Sequence, residues 1–427
     1  MKLILANLII ALFIISCSSP KKKDNILIVN QRAEFEAQEA IWLIWPSTNH
    51  KEEESVQAVT LAIIEALMND ISIVVTYKSE DLLNEAKQTV EERFGEQQKI
   101  QFLEIPSFEI WARDMGPIFV ETNENTLAIA DFNFNSWGYS DTVDIDTKTE
   151  EMYDVRVAEH FNLRVISSSM ISEGGNREVN GKGTLITTES VEMGRNPSMS
   201  KKEMEAEYAR LLGVKKTIWL KQGLVEDNHT FLGPVATRDG TKAYTVVTTN
   251  GHIDEFARFV NDSTLLLAQI DSTEFDDPIA FENHNRIEEN YQILSRATDQ
   301  DDNPFTIIRM PLPGTIFSTL SSGDYVYEYI KTLDYKDGSI FPAGDTVKVM
   351  AAFSYLNFII TGKVVVGQTC WREGMPNALK EKDKKAEQIL QSVFPNRKIV
   401  MIDALAVNLG GGGIHCISMN QPTLSNN

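Results

Sequence analysis

IWLIWPSTNHKEEESVQAVTLAIIEALMNDISIVVTY, Ile41 to Tyr77, holds two apolar, β-branched and aromatic runs with a longer amphipathic stretch between them. IWLIW (Ile41–Trp45) and ISIVVTY (Ile71–Tyr77) read as buried strands, because short continuous apolar runs of these residue types suit strands covered on both faces. The stretch from Glu53 to Met68 has helical spacing, so the unit reads strand, helix, strand. The pattern recurs along the chain. Val364–Val366 is a further buried strand, and helical stretches run over 81–94, 149–161, 201–212, 283–297 and 377–394. Strands interleaved with helices mean an α/β protein. There is no GxGxxG after an early strand, no GxxxxGK[ST], and no alternation regular enough to dictate eight barrel units.

The chain has 427 residues, of which 42% are hydrophobic and 24% charged, an ordinary globular composition that supports a large core. No Pro/Gly/Ser-rich linker divides it, so residues 31–422 read as one domain of catalytic size. The formal charge of -21 argues against a nucleic-acid partner, since a duplex repels such a surface and no basic stripe offsets it. It favours cationic ligands.

The first residues are a separate matter. MKLILANLIIALFIISCSSPKKKDN carries one lysine and then an apolar run from Leu3 to Ile15, interrupted only by Asn7. That run is too short for a permanent membrane span and fits a signal-peptide core. Its end, Ile14-Ile15-Ser16-Cys17, resembles the lipobox of bacterial lipoproteins. The resemblance implies a signal peptide over residues 1–16, lipidation of Cys17, a polar tether over 17–30 and a cell-envelope location on a membrane, at the periplasmic face or cell surface. Several acyl chains would make the anchor effectively permanent.

Of the three cysteines, Cys370 and Cys416 then remain. They could form one disulfide in an exported domain, but their surroundings differ. Cys370 ends the apolar run VVVGQTC, as expected of a buried thiol at a strand end. Cys416 follows four glycines, Gly410 to Gly413, and sits beside His415, as expected where backbone approaches a ligand closely.

Three further segments concentrate polar chemistry. Trp111-Ala112-Arg113-Asp114 precedes a Gly-Pro turn, Glu173 precedes Gly174-Gly175-Asn176, and Gly251-His252-Ile253-Asp254 spaces a histidine and an acid two apart. On an extended strand His252 and Asp254 would share a face. Each motif alone is compatible with a turn carboxylate or an internal ion pair. Together with Cys416 they divide labour. A thiol that is mostly protonated at neutral pH needs a positive environment or a base; histidine shuttles protons in that range; and carboxylates match the parallel N–H groups of a guanidinium. Asp114, Glu173, His252, Asp254 and Cys416 are therefore the inventory for attack on a guanidinium carbon.

These segments resemble the agmatine deiminase and Porphyromonas-type peptidylarginine deiminase family of the guanidine-modifying superfamily. The matching stretches are EFEAQEAIWLIWP, WARDMGP, DFNFNSWG, EGGN, RNPSMSKKE, GHIDEFARF, SYLNF, FPNRKIVMID and GGGGIHCIS, in family order across about residues 30 to 422. The resemblance implies a five-bladed, pseudo-symmetric α/β propeller of ββαβ units with its active site in the central channel. It implies Cys416 as nucleophile, His252 as general acid/base, Asp114 and Asp254 as guanidinium clamps, and Glu173 as the partner of His252. The reaction would be hydrolytic deimination through a covalent thiouronium intermediate, with no metal and no cofactor. The substrate is a small cationic guanidine such as agmatine, free arginine or an arginine-containing peptide.

Trp111 and Trp137 are candidate channel walls for a planar cation. Asn357 is a strand polar residue or a substrate contact, Arg113 a buried ion-pair member, and His415 structural, since neighbours on a strand face opposite ways. His229 lies in a polar stretch, 223–245, with no supporting pattern. Two other functions use the same residues: an amidinotransferase passing the amidino group to an amine, and a non-catalytic guanidine- or peptide-binding surface lipoprotein. A cysteine protease would leave two carboxylates without work.

Overall fold

The computed structural model describes residues 27–424. The signal peptide, Cys17 and most of the tether lie outside the described residues. Ile28–Asn30 is a strand paired with Ile118–Thr122, so the last part of the stretch expected as tether belongs to the folded domain.

Five sheets repeat one pattern: a first strand antiparallel to a second, and a third parallel to the second after a helical crossover. In one blade Ile118–Thr122 pairs antiparallel with Leu127–Asn133, which pairs parallel with Arg164–Ile171 after the helix Tyr153–Phe161. The next is Glu178–Val179, Thr184–Thr188 and Lys216–Leu220, with the helix Lys201–Leu212 in the crossover. Ala257–Phe259, Thr264–Gln269 and Thr306–Pro311 follow, crossed by Pro278–Leu294. Then come Ile359–Ile360, Val364–Thr369 and Lys398–Asp403, crossed by Asn377–Val393. The remaining blade joins the two ends of the described chain: Ser418–Pro422 is the antiparallel partner of Gln38–Ile44, which pairs parallel with Ser72–Tyr77 after the helix Val56–Leu67. This is the five-bladed α/β propeller. A sixth sheet, ordered Val235–Ala236, Lys242–Thr245, Thr346–Met350, Phe317–Ser321, is an addition to the five.

Local chemistry explains the elements. In Val56–Leu67 the buried residues Val56, Val59, Ile63, Ile64 and Leu67 recur every three to four positions on one face, and the Ser55 side chain accepts from Ala58 N at its start. Each such aliphatic side chain contributes roughly 1.5–3 kcal/mol when removed from water. Lys201–Leu212 matches the sequence expectation at both ends, because Ser200 and Glu203 form a capping box and Gly213 closes the helix at φ +68°. The helix expected over 149–161 is two helices, Ile145–Glu151 and Tyr153–Phe161, divided at Met152, whose ψ near 1° is non-helical. The one expected over 283–297 starts earlier, at Pro278, where Asp277 caps the end and proline has no N–H to lose.

Blade geometry places the chemistry. The segment leading into the first strand of four blades, and into Ser418–Pro422 of the fifth, carries in turn Trp111–Asp114, Glu173–Asn176, His252–Glu255, Asn357 and Gly410–Cys416. Five loops from distant parts of the chain therefore converge at one place.

Candidate active site

Cys416, 5% exposed, lies beneath a cavity of about 470 Å³ that it lines together with Trp111, Asp114, Trp137 and Thr249. Four glycines let the loop pack closely around the site, and Gly412 faces the sulfur. At Gly411, φ is +129° and an added Cβ would stand 1.8 Å from Val247 O; at Gly412 it would stand 2.8 Å from Cys416 Sγ and 2.9 Å from Trp111. A side chain at either position is excluded, the first by backbone conformation as well as by space. Cys416 and His415 sit on a turn, not on a strand. Asn357, also outside any strand, donates from Nδ2 to Sγ at 3.2 Å, and its Oδ1 accepts from His415 N at 2.8 Å.

The carboxylates surround the sulfur. Asp254 Oδ2 is 3.7 Å and Glu255 Oε1 3.8 Å from Sγ. Burial, then Asp254, Glu255 and Asp114, push the thiol well above its usual range, so the unliganded nucleophile is a thiol. Glu255, whose pKa burial and then the charges of Asp254 and Asp227 push well up, accepts from Asn357 Nδ2 at 2.8 Å.

Asp114 is held by Trp137 Nε1 (2.7 Å to Oδ2) and Gly175 N (2.9 Å to Oδ1). His252 lies between acids: Nδ1 is 3.7 Å from Asp114 Oδ1 and Nε2 is 3.5 Å from Glu173 Oε2. Neither nitrogen has a well-formed hydrogen bond, so both remain available to a reacting group. Burial would lower the His252 pKa, but Asp114 and Glu173 outweigh it and raise it to about 9; the ring is an imidazolium at neutral pH. Glu173 is itself buried, which would raise its pKa, yet the ion pair to Arg195 Nε at 2.6 Å and the neighbouring His252 bring it to about 2.

His252 and Asp254 are not on a strand, as their spacing had suggested. Ile253–Glu255 is a 3-10 turn, because Asp227 draws in the backbone N–H groups of Thr249 (2.8 Å), Gly251 (2.9 Å) and His252 (2.7 Å), which a strand would have used in its ladder. Asp227 comes from the polar stretch 223–245, as does His229, whose ring contacts Trp137 O at 2.8 Å and Arg195 at 3.3 Å. Burial and Arg195 lower the His229 pKa to about 3, so it is a neutral brace behind Trp137.

All five residues proposed for the chemistry are brought together, as are Trp111, Trp137 and Asn357. Cys370 is not: it is a free, buried thiol bonded to Tyr355 and Asp383, and Cys416 is also free. Arg113 pairs with Glu34. His415 is more than structural filling, since its Nδ1 is 2.6 Å from Asp254 Oδ2. Sequence reasoning missed Glu255, Asp227 and Glu34 as members of the site. Glu255 adjoins Asp254 and Glu34 opens the stretch EFEAQEAIWLIWP, so both were within reach of motifs already singled out; Asp227 carries no local signal.

The profile of the Porphyromonas-type peptidyl-arginine deiminase family matches residues 30–232 and 237–422. The agmatine deiminase of Pseudomonas aeruginosa (strain LESB58) is 29% identical over 397 residues, covering 91% of this chain and 94% of that one. The agmatine deiminase of Medicago truncatula is 28% identical over 411 residues, covering 92% and 96%. The fold is similar to the solved structure of the agmatine deiminase of Enterococcus faecalis, with a TM-score of 0.71 at 24% identity over 93% of this chain and 96% of that one.

Proposed function

The chain belongs to the Porphyromonas-type peptidyl-arginine deiminase family, and from that premise we propose that it hydrolyses a guanidino group to a ureido group and ammonia at Cys416. The observation that carries this reading is the buried thiol beside Asp254, Glu255 and Asp114, with His252 set between Asp114 and Glu173. A guanidinium seated between the two aspartates brings the positive charge that the raised thiol lacks, so substrate entry itself favours the thiolate. The S–H proton passes to water in the cavity, since His252 is already protonated, and Sγ bonds to the guanidinium carbon. The C–N bond to a terminal nitrogen breaks as His252 gives its proton to the departing ammonia, leaving on sulfur an amidino carbon that still carries the rest of the substrate through its other nitrogen. Water is deprotonated by the now neutral His252 and bonds to the same carbon; the C–S bond breaks and the thiolate is regenerated.

The cavity selects among guanidines. Among the described residues its walls include Glu109, Asp144, Asp146 and Glu150 besides Asp114, and no lysine or arginine; His50, the one histidine among them, is neutral because burial lowers its pKa to about 4. A substrate carboxylate, as in free arginine, finds no cation there. A second positive charge does find a partner in Glu109, which sits against Trp111 and Tyr325 and whose pKa burial and Glu150 raise to about 7. The reading is therefore a guanidine with a terminal amine, of which agmatine is the example.

A panel of agmatine, butylguanidine, free arginine, and peptides with internal and C-terminal arginine tests it by ureido product and ammonia. Agmatine is expected to give the highest kcat/KM. Glu109→Gln should lower that value about 10-fold or more, the size of a hydrogen bond to a charged group, and leave butylguanidine nearly unchanged. Equal losses on both would remove the amine subsite, and amidino transfer to an added amine would replace hydrolysis.

The same proposal extends to location. The lipobox-like Ile14-Ile15-Ser16-Cys17 supports a lipid-anchored protein of the cell envelope. Replacing Cys17 with alanine should move the protein from the membrane pellet to the soluble fraction. Full retention in the pellet would sink the idea.

A further inference from the structure

Glu34 stands where three catalytic loops meet. Its Oε1 accepts from Arg113 Nη1 at 2.5 Å and lies 2.8 Å from His415 Nε2; its Oε2 accepts from Arg258 Nη2 at 2.7 Å. Arg113 adjoins the clamp Asp114, and its backbone N donates to Cys416 O at 3.0 Å. His415 adjoins the nucleophile and holds Asp254. Arg258, wholly buried, also pairs with Glu178 and donates from Nη1 to the carbonyls of Leu356 (3.2 Å) and Phe358 (2.9 Å), on either side of Asn357. One carboxylate thus ties down the loops of Asp114, of Asn357 and of Cys416.

We infer that Glu34 is a positioning residue for the deimination chemistry: through the His415 ring it holds Asp254 aimed at the guanidinium. The inference rests on the deiminase reading above. The His415 ring spans the two acids, with Nδ1 2.6 Å from Asp254 Oδ2 and Nε2 2.8 Å from Glu34 Oε1. Asp254 receives one of these bonds on Oδ2, while its buried Oδ1 has no partner and is left for the substrate. Burial would raise the Asp254 carboxyl, and His415, His252 and Arg258 together pull it below its usual value. Glu255 and Cys416, its other close neighbours, are both pushed well up by burial and by the charge of Asp254. Remove the charge of Glu34 and the ring has only one anion to serve. Asp254 then loses the fixed hydrogen bond from His415 that lowers its carboxyl and takes up a proton at higher pH.

Glu34→Gln keeps the shape and removes the charge; Glu34→Asp keeps the charge and shortens the reach. Both are compared with the wild-type protein by circular dichroism, thermal midpoint, stoichiometric alkylation of the active thiol, and kcat and KM for agmatine across pH. Expected for Glu34→Gln is a fall in kcat/KM per active site of about 10- to 100-fold, the scale of a misplaced catalytic group, a raised KM, and an acid limb moved to higher pH. Glu34→Asp should lose activity with its acid limb near that of the wild type. Wild-type kcat/KM and an unmoved acid limb in folded Glu34→Gln overturn the inference, whatever the thermal midpoint. Should Glu34→Gln fail to fold, Glu34→Asp decides: reduced kcat/KM with an unmoved limb supports the role, and wild-type kcat/KM overturns it. A wild-type protein inactive on every guanidine is the separate failure of the deiminase reading, visible before any variant is made.

Discussion

Cys416→Ala abolishes ammonia release from agmatine, by on the order of 10⁶ in kcat, the loss seen when a covalent nucleophile is removed. The remaining groups are not disturbed: Asp114 keeps its bonds to Trp137 and Gly175, and Asp254 keeps His415. Agmatine therefore still binds the variant, and calorimetry should record that binding while the ammonia assay stays at background. Cys416→Ser is expected to be equally inactive, because a hydroxyl is much harder to ionise than a thiol in this acid-ringed pocket. In the wild-type protein, acid quenching during turnover should trap on the peptide containing Cys416 a mass increase equal to agmatine less one ammonia; a bare amidino group there would instead mark amidino transfer. Undiminished deimination by Cys416→Ala would remove the thiol from the mechanism. Cys370 offers no substitute, since burial, with the neighbouring Asp383 adding to it, raises its pKa to about 12, and it does not line the cavity.

His252→Gln is the second large effect, a fall in kcat/KM of about 10²- to 10⁴-fold, the usual contribution of a positioned acid or base. The pH profile identifies the role. His252 must carry its proton when ammonia leaves, and its pKa is raised to about 9, so wild-type activity should decline as pH rises through that value. The variant should lack this alkaline limb. Stability follows the same sign. A histidine raised above its unfolded value of about 6.5 contributes stability that is complete below that pH and is lost as pH climbs to about 9. The thermal midpoint of the wild type should therefore fall across this window by more than that of His252→Gln. Parallel curves for the two proteins would show that His252 is not the charged group assigned here.

The positions read from sequence and those read only from coordinates differ in kind. The helix Lys201–Leu212 was legible to the residue because its cap, its capping-box glutamate and its terminal glycine are neighbours in the chain. Strands Gln38–Ile44, Ser72–Tyr77 and Val364–Thr369 were legible as apolar runs, though not their ends, which pairing partners set. The two-residue strands Glu178–Val179 and Ile359–Ile360 carry too little pattern to be seen and exist because a longer strand pairs with them.

The catalytic inventory was legible for a related reason. Nucleophile, acid/base and clamps each need one residue type beside a glycine or an aromatic, and that local company is written in the chain. Taken alone, the sequence therefore determined an α/β domain and singled out the five polar groups proposed here for the guanidinium chemistry. Only the tertiary structure decided the rest: that Ser418–Pro422 closes the propeller on Gln38–Ile44, that Asp227 bends His252 and Asp254 onto a turn, and that Glu34 joins three loops. Buried ion pairs and hydrogen bonds of this sort depend on which distant segments share a dry interior, and no spacing along the chain encodes that proximity.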